Sequence, residues 1–427
     1  MKRPVPETMP EHDTVARSTA ELVARRSYGK LVAFLATRSN DVASAEDALS
    51  EAFTAALADW PHKGCPANPE AWLLTVARRK LIDRNRREHS SDLVDQDLDT
   101  IAALNERGDP ADIPDRRLAL MFACAHPAIE VGIRAPLILQ LILGLDAATI
   151  ASAFLVSPAT MGKRLVRAKS KIREAAIPLR IPERAELRGR LDAVLEAIYA
   201  AFSEGWSDAI GTDTARHDLT GEAFFLARLV SELLPQEPEA LGLLALMLHA
   251  EARRRARRSE TGEYIPLAAQ NPACWDTRMI EEAEALLLHA RARGLVGRYQ
   301  LEAAVQSAHV HRCRTGDANW DAILALYEGL LAVTGSPVVA INRALAVAEV
   351  HGAQAGLAAM PDPAGDGRLL AYQPYWAARA ELLGKTGACG EARRAYEIAL
   401  GLTVDPAVWR FLEQRRSALE DSCTGSR

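Results

Sequence analysis

Aromatic residues are scarce in this 427-residue chain, at 5% of the total. Its six cysteines (65, 124, 274, 313, 389 and 423) include no CxxC pair. That spacing fits reduced thiols in a cytoplasmic protein better than a disulfide framework or a structural zinc site. His309 and His311 lie too close in sequence to share one helix face, whereas helical ligand pairs sit three or four apart, so no metal site is expected. There is no run of about eighteen uncharged apolar residues, so no membrane span is expected. The start, MKRPVPETMPEHD, lacks the apolar stretch of a secretory signal. A glycine loop for phosphates and a Cys/His or Ser/His signature are also missing, so the chain reads as no enzyme and needs no cofactor. Alternating apolar and polar runs bounded by turn residues are missing too, which leaves little room for sheet.

What is present is helical pattern. Alanine, leucine, arginine and glutamate abound, and apolar residues recur at steps of three and four, so the fold class is all-α. The length calls for about two to four domains. A first helical block runs from Ser18 to Glu88, with periodic stretches at Ala43–Trp60 and Pro69–Arg87 around a Pro61–Asn68 loop. Residues 91–115 follow, in which Asp92, Asp95, Asp97, Asp99, Glu106, Asp109, Asp112 and Asp115 face one base, Arg107. With Gly108, Pro110 and Pro114 this stretch reads as a mobile linker. A second block covers 116–175, and a third region continues from about 185 to the end. Within the third, Trp376, Ala380, Leu383, Gly387, Ala392, Tyr396 and Ala399 have the spacing of a tetratricopeptide helix pair. A degenerate copy lies around Ile341, Ala344 and Gly352, and a generic helical bundle is the alternative.

The net charge of −5 is unevenly distributed. In residues 144–174 a short helix can run from Asp146 to Ala153, turn at Phe154-Leu155-Val156, and restart at Ser157 as N-cap with Pro158 in the first helical position. Met161, Leu165, Ala168 and Ile172 then form one apolar stripe. Residues 157–173 hold six bases and no acid. A chain of negative net charge with so many bases on one helix points to a polyanion. Such motifs reach base edges with the first turns of the second helix, so Thr160, Lys163, Arg164 and Arg167, continued by Lys171, are the candidate DNA contacts. A solvated basic face on a core helix is the bland alternative, weakened by the preceding helix and capped restart.

A second basic helix spans 68–88. Asn68 is its N-cap, Pro69 and Glu70 open it, and Leu73, Val76, Ala77 and Leu81 form its apolar side. Arg78, Arg79 and Arg86 project opposite. Trp60, His62, Lys63 and Trp72 near its start suit a single-strand groove with stacking platforms, although Trp72 borders the apolar stripe and reads more simply as core. The run Arg253–Arg258 reads as a solvated helix face rather than a nucleic-acid contact.

AEDALSEAFTAALADW followed by NPEAWLLTVARRKLIDRNRR resembles region two of the extracytoplasmic-function sigma factors, and LILQLILGLDAATIASAFLVSPATMGKRLVRAKSKIRE resembles their region four. GEAFFLARLVSELLPQEPEALGLLALMLHAEARRRARR, GRYQLEAAVQSAH, NWDAILALYEGLL and SPVVAINRALAVAE resemble the tetratricopeptide-like C-terminal extension of one subgroup. The resemblance implies region two over 1–90, the linker over 91–115, region four over 116–177 and a regulatory helical domain over 185–427. It implies core RNA polymerase, through clamp and flap, and promoter DNA as partners, with a protein regulator for 185–427 and no membrane. Asp47, Ser50, Glu51 and Phe53 would dock on the polymerase clamp. The 61–68 loop with His62, Lys63 and Asn68, together with Trp72, would meet the −10 element, with Arg78, Arg79 and Arg86 on the strand backbone. Thr160, Lys163, Arg164, Arg167 and Lys171 would read the −35 element, and the acidic linker would thread toward the RNA exit path. The sequence departs from the usual pattern at Thr149, where a glutamate is common, and at Ser50, where a glutamine is common. The competing classes are a conventional helix-turn-helix regulator and a helical repeat scaffold that never binds polymerase.

Overall fold

The computed structural model describes residues 9–88, 116–154, 156–207, 214–294, 296–365 and 367–424. Helices account for nearly all of them, and the fold is all-α. Among the described residues no strand occurs, only an isolated antiparallel bridge between Arg258 and Tyr264. The acidic stretch 91–115 lies outside the described residues. The chain divides into two compact units, Met1–Leu229 and Val230–Arg427.

The first unit opens with α1 (Met9–Ser39), α2 (Val42–Lys63) and α3 (Pro69–Glu88). α1 starts ahead of the Ser18 that periodicity predicts, because its first turns carry few apolar residues to mark a face. Asn40, at φ 52, turns the chain into α2, a conformation asparagine tolerates. The Asp41 carboxylate then accepts hydrogen bonds from the N–H groups of Ala43 (3.0 Å) and Ser44 (3.3 Å). The buried residues of α2, from Val42 through Leu49 to Trp60, keep to one face. The helix runs on past Pro61 and stops at Gly64, φ 83, whose N–H donates to the Trp60 carbonyl (2.9 Å). His62 and Lys63 therefore lie on the last turn of α2 and not in the expected loop. A proline this near a helix end forfeits one hydrogen bond without ending the helix.

The same unit continues with α4 (Arg117–Cys124), α5 (Val131–Leu143), α6 (Ala147–Ala153) and α7 (Pro158–Glu174). Every residue of α4 is buried. α5 ends at Gly144, φ 65, and Asp146 caps α6 through the N–H groups of Ala148 and Thr149 (2.8 and 3.0 Å). Next, α8 (Arg184–Ser207) packs against α4 and α5. Its buried Arg190 donates to the Phe122 carbonyl (3.3 Å) and to Glu186 (2.9 Å). α9 (Thr214–Leu233) belongs to this unit as far as Leu229.

The second unit is a succession of helices, each packed chiefly on its chain neighbours: α10 (Pro238–Ala252), α11 (Thr277–Arg291), α12 (Arg298–Thr315), α13 (Trp320–Thr334), α14 (Pro337–His351), α15 (Ala353–Ala359), α16 (Gln373–Lys385), α17 (Cys389–Leu402) and α18 (Pro406–Thr424). α10 is buried around most of its circumference. At its start Glu239 accepts from the N–H groups of Tyr299 (2.9 Å) and Gln300 (3.1 Å), sealing the open end of α12. α16 and α17 form a hairpin around Ala380, Leu383, Ala392, Tyr396 and Ala399, with Gly387 (φ 80) in the turn.

The Arg253–Arg258 run corrects the expected solvated face. It lies on a 3-10 turn after α10, where Arg253 is buried and donates to Gln306, and Arg254 pairs with Glu251 at 2.7 Å. Arg258 pairs with Asp405, and only Arg255 is fully exposed. The turn folds the run back into the unit, so acids and amides distant in sequence take up its charge. The thiols need a smaller correction: Cys65, Cys124, Cys274 and Cys313 are free, whereas Cys389 is disulfide-bonded.

Candidate nucleic-acid interface

α7 begins where its sequence demands. Ser157 accepts from the Thr160 N–H (3.3 Å), Pro158 occupies the first turn, and the Thr160 hydroxyl shares a 2.8 Å hydrogen bond with that of Ser157. Met161, Leu165, Ala168 and Ile172 are buried. Lys163, Arg167 and Lys171 are exposed with Thr160, Arg164 is half-buried beside them, and no ion pair holds any of the four bases among the described residues. The remaining two bases turn away. Lys169 pairs with Glu46 at 2.7 Å and Arg173 with Asp41 at 3.6 Å, both acids on or capping α2. The helix thus offers an arc of bases with no ion pair among the described residues and a second pair of bases that ties it to α2. Exposed Val166 flanks the arc; a count of charges passes over it.

α3 is divided in the same manner. Asn68 caps it, its side-chain oxygen accepting from the Ala71 N–H (3.0 Å). Arg79 is exposed and Arg78 half-buried, while the side chains of Arg86 and Arg87 lie outside the described residues. Lys80 pairs with Glu51 (3.1 Å) and Arg84 with Asp47 (3.0 Å), a two-rung ladder between α3 and α2. Trp72 is half-buried and stands edge-on to the buried Trp60, ring centroids 5.5 Å apart, so it is anchored in the core by one edge. His62 and Lys63 are exposed at the end of α2, and Lys63 pairs with Asp59 at 2.7 Å.

On α2, Asp47, Ser50 and Glu51 are exposed along one stripe, with Phe53 half-buried at its flank. Thr54 and Leu57 extend the stripe, Leu57 being 48% exposed. The three- and four-residue steps from Asp47 could have revealed both. The structure thus brings the acids expected to dock onto a protein partner beside the bases of α3.

The helices that support the two basic ones pack closely on each other. α1 crosses α5 at Gly29, where a Cβ would lie 1.8 Å from the Ile142 carbonyl oxygen. The Tyr28 hydroxyl faces Glu46 at 3.5 Å. Burial raises the pKa of both groups above their ordinary values, and the Glu46 charge adds to the shift on Tyr28.

Residues 23–91, spanning most of α1 together with α2 and α3, match the family described as Sigma-70 region 2. Residues 190–291 match a family of unknown function, DUF6596. An uncharacterized protein of Rhizobium meliloti (strain 1021) is 38% identical over 381 residues, covering 87% of this chain and 89% of that protein. The chain belongs to the extracytoplasmic-function-like sigma factors with a C-terminal extension. No solved structure matches it significantly. As a sigma factor it has a role in transcription initiation, and the α2 stripe and basic α3 both fall within the matched region two. The extension match begins inside α8 and ends with α11, so it crosses the division between the two units. Among the described residues no helix is long and apolar enough to cross a membrane, and no cluster of His, Cys, Asp or Glu could hold a metal ion.

Proposed function

We propose that this sigma factor binds core RNA polymerase and directs initiation at specific promoters, acting by recognition and not by catalysis, in the cytoplasm. The observation that carries the reading is the outward arc of α7. Four bases without ion-pair partners among the described residues, on a capped helix whose apolar stripe is buried, suit the major groove of the −35 element, with arginine on guanine edges and lysine on phosphates. α6 and α7 form the helix-turn-helix of region four (116–177). Region two (1–90) opens the −10 element, with Trp72, His62, Lys63 and Asn68 at the loop and Arg78, Arg79 and Arg86 along the strand. Asp47, Ser50, Glu51 and Phe53 dock on the clamp, region four meets the flap, and residues 185–427 form a tetratricopeptide-like domain that regulates activity or binds a partner.

Reading both elements at once requires the two basic helices to part. The −10 and −35 positions lie about 25 base pairs apart, or ~85 Å at 3.4 Å per pair. A compact unit of about 230 residues has a radius of gyration of roughly 17 Å. The 91–115 linker reaches ~80 Å when extended, enough to permit the separation. The test is retention of the purified chain by core polymerase, followed by start-site mapping on genomic DNA. Retention with discrete start sites supports initiation; a chain that binds duplex DNA but not polymerase is a conventional regulator instead.

A further inference from the structure

We propose that α7 selects a thymine in the duplex it reads, the C5-methyl group of the base seating between Val166 and the bare backbone at Gly162. The buried stripe of α7 runs through Met161, Leu165, Ala168 and Ile172. The same steps of four, three and four, begun two residues earlier, pass through Ala159, Lys163, Val166 and Ser170. At about 100° per residue this second row lies roughly 160° around the helix from the stripe, so it is the line that enters a groove deepest. Ala159, Lys163 and Val166 are exposed along it, and Ser170 is half-buried. Val166, 64% exposed, is the one large apolar residue in the α7 sequence outside the stripe.

Packing accounts for neither Val166 nor Gly162. Both residue types form helix poorly, and at an exposed position nothing offsets that for the valine. A Cβ at Gly162 would meet no atom within 4 Å, so no neighbour among the described residues requires the glycine there. The two stand four residues apart, on adjacent turns of one face, and a helical side chain leans over the turn before its own. Val166 therefore leans over Gly162 beside Lys163, and the missing side chain leaves an apolar recess within the basic arc. In the major groove thymine alone presents a methyl group. Lys163, Arg164 and Arg167 donate hydrogen bonds to guanine edges and phosphates; the recess adds the contact that a methyl group satisfies. The preference for thymine rests on the reading of α7 as a duplex-binding helix.

Duplexes are first selected from a random-sequence pool by the full chain, alone and with core polymerase. Each thymine of the selected site is then replaced in turn by deoxyuridine, which removes the methyl group and nothing else. At one position the replacement weakens binding about fourfold, the worth of one buried carbon. V166A reduces that penalty below about twofold, with a melting temperature no lower than that of the unaltered chain because alanine is the better helix former. G162A fills the recess with a carbon of the protein and shrinks the penalty to the same extent. A selected site with no uridine-sensitive thymine overturns the proposal, as does a penalty unchanged in either variant. A pool from which neither the chain nor its polymerase complex enriches a duplex removes the duplex-reading role itself, and the thymine preference with it. An enriched duplex indifferent to uridine removes the preference alone and leaves that role standing.

Discussion

α7 and the Arg253–Arg258 turn are the two most basic stretches of the chain, yet they dispose of their charge in opposite ways. α7 sits on its apolar stripe and turns Lys163, Arg167 and Lys171 to solvent beside the half-buried Arg164, none of them with an ion-pair partner among the described residues. The arginine turn buries Arg253, pairs Arg254 and Arg258 with acids, and exposes only Arg255 fully. Density of charge along a sequence therefore does not mark a nucleic-acid surface. What marks it is whether the fold supplies counter-charges, and for the arginine turn these arrive from Glu251 nearby and from Asp405, far along the chain.

The contrast can be broken most sharply on α7. Reversing Lys163, Arg164 and Arg167 to glutamate should lower affinity for promoter DNA by about a thousandfold or more while the thermal melt stays put. A melt that collapses instead would make the arc structural. The second unit should show the complementary behaviour in acid. His249 is buried, its pKa lowered to about 4 by desolvation and by Arg253, with the Glu284 carboxylate 3.5 Å from its ring. The unfolded ring takes up its proton near 6.5, so stability is complete above that pH and declines as the pH falls toward 4. The loss should approach about 3 kcal/mol, and melts of H249Q against pH should be correspondingly flatter.

A smaller effect is expected at Arg258. R258E should destabilise the second unit by about 2 kcal/mol in denaturant melts and leave DNA binding unchanged, because it places an acid against Asp405. The finest discrimination lies within α7 itself. K163Q should reduce the slope of log affinity against log salt by about 1, whereas K169Q should leave it unaltered because Lys169 already serves Glu46.

Local signals were the legible ones. Ser157 and Pro158 fix the start of α7, Asn68 fixes α3, and the stripe from Met161 to Ile172 fixes the buried face, each within a few residues of chain. Long-range partners were not legible. Nothing in the spacing of Lys169 and Arg173 separates them from Lys163 and Arg167; only the approach of α2 does. The ladder from Asp47 and Glu51 to Arg84 and Lys80 likewise requires α2 and α3 to be folded together. The end of α2 is not legible either, because proline and histidine before a glycine resemble a loop, although a helix can carry both through its last turn.

Gly29 sets a limit on how this chain can drift. With only a hydrogen facing the Ile142 carbonyl, the crossing admits no substituent at all. Even alanine would wedge α1 outward, and because α1 packs with α2 and α3, one added carbon would lever these three helices away from α5. A single-nucleotide change at this one codon therefore suffices to force two helices apart.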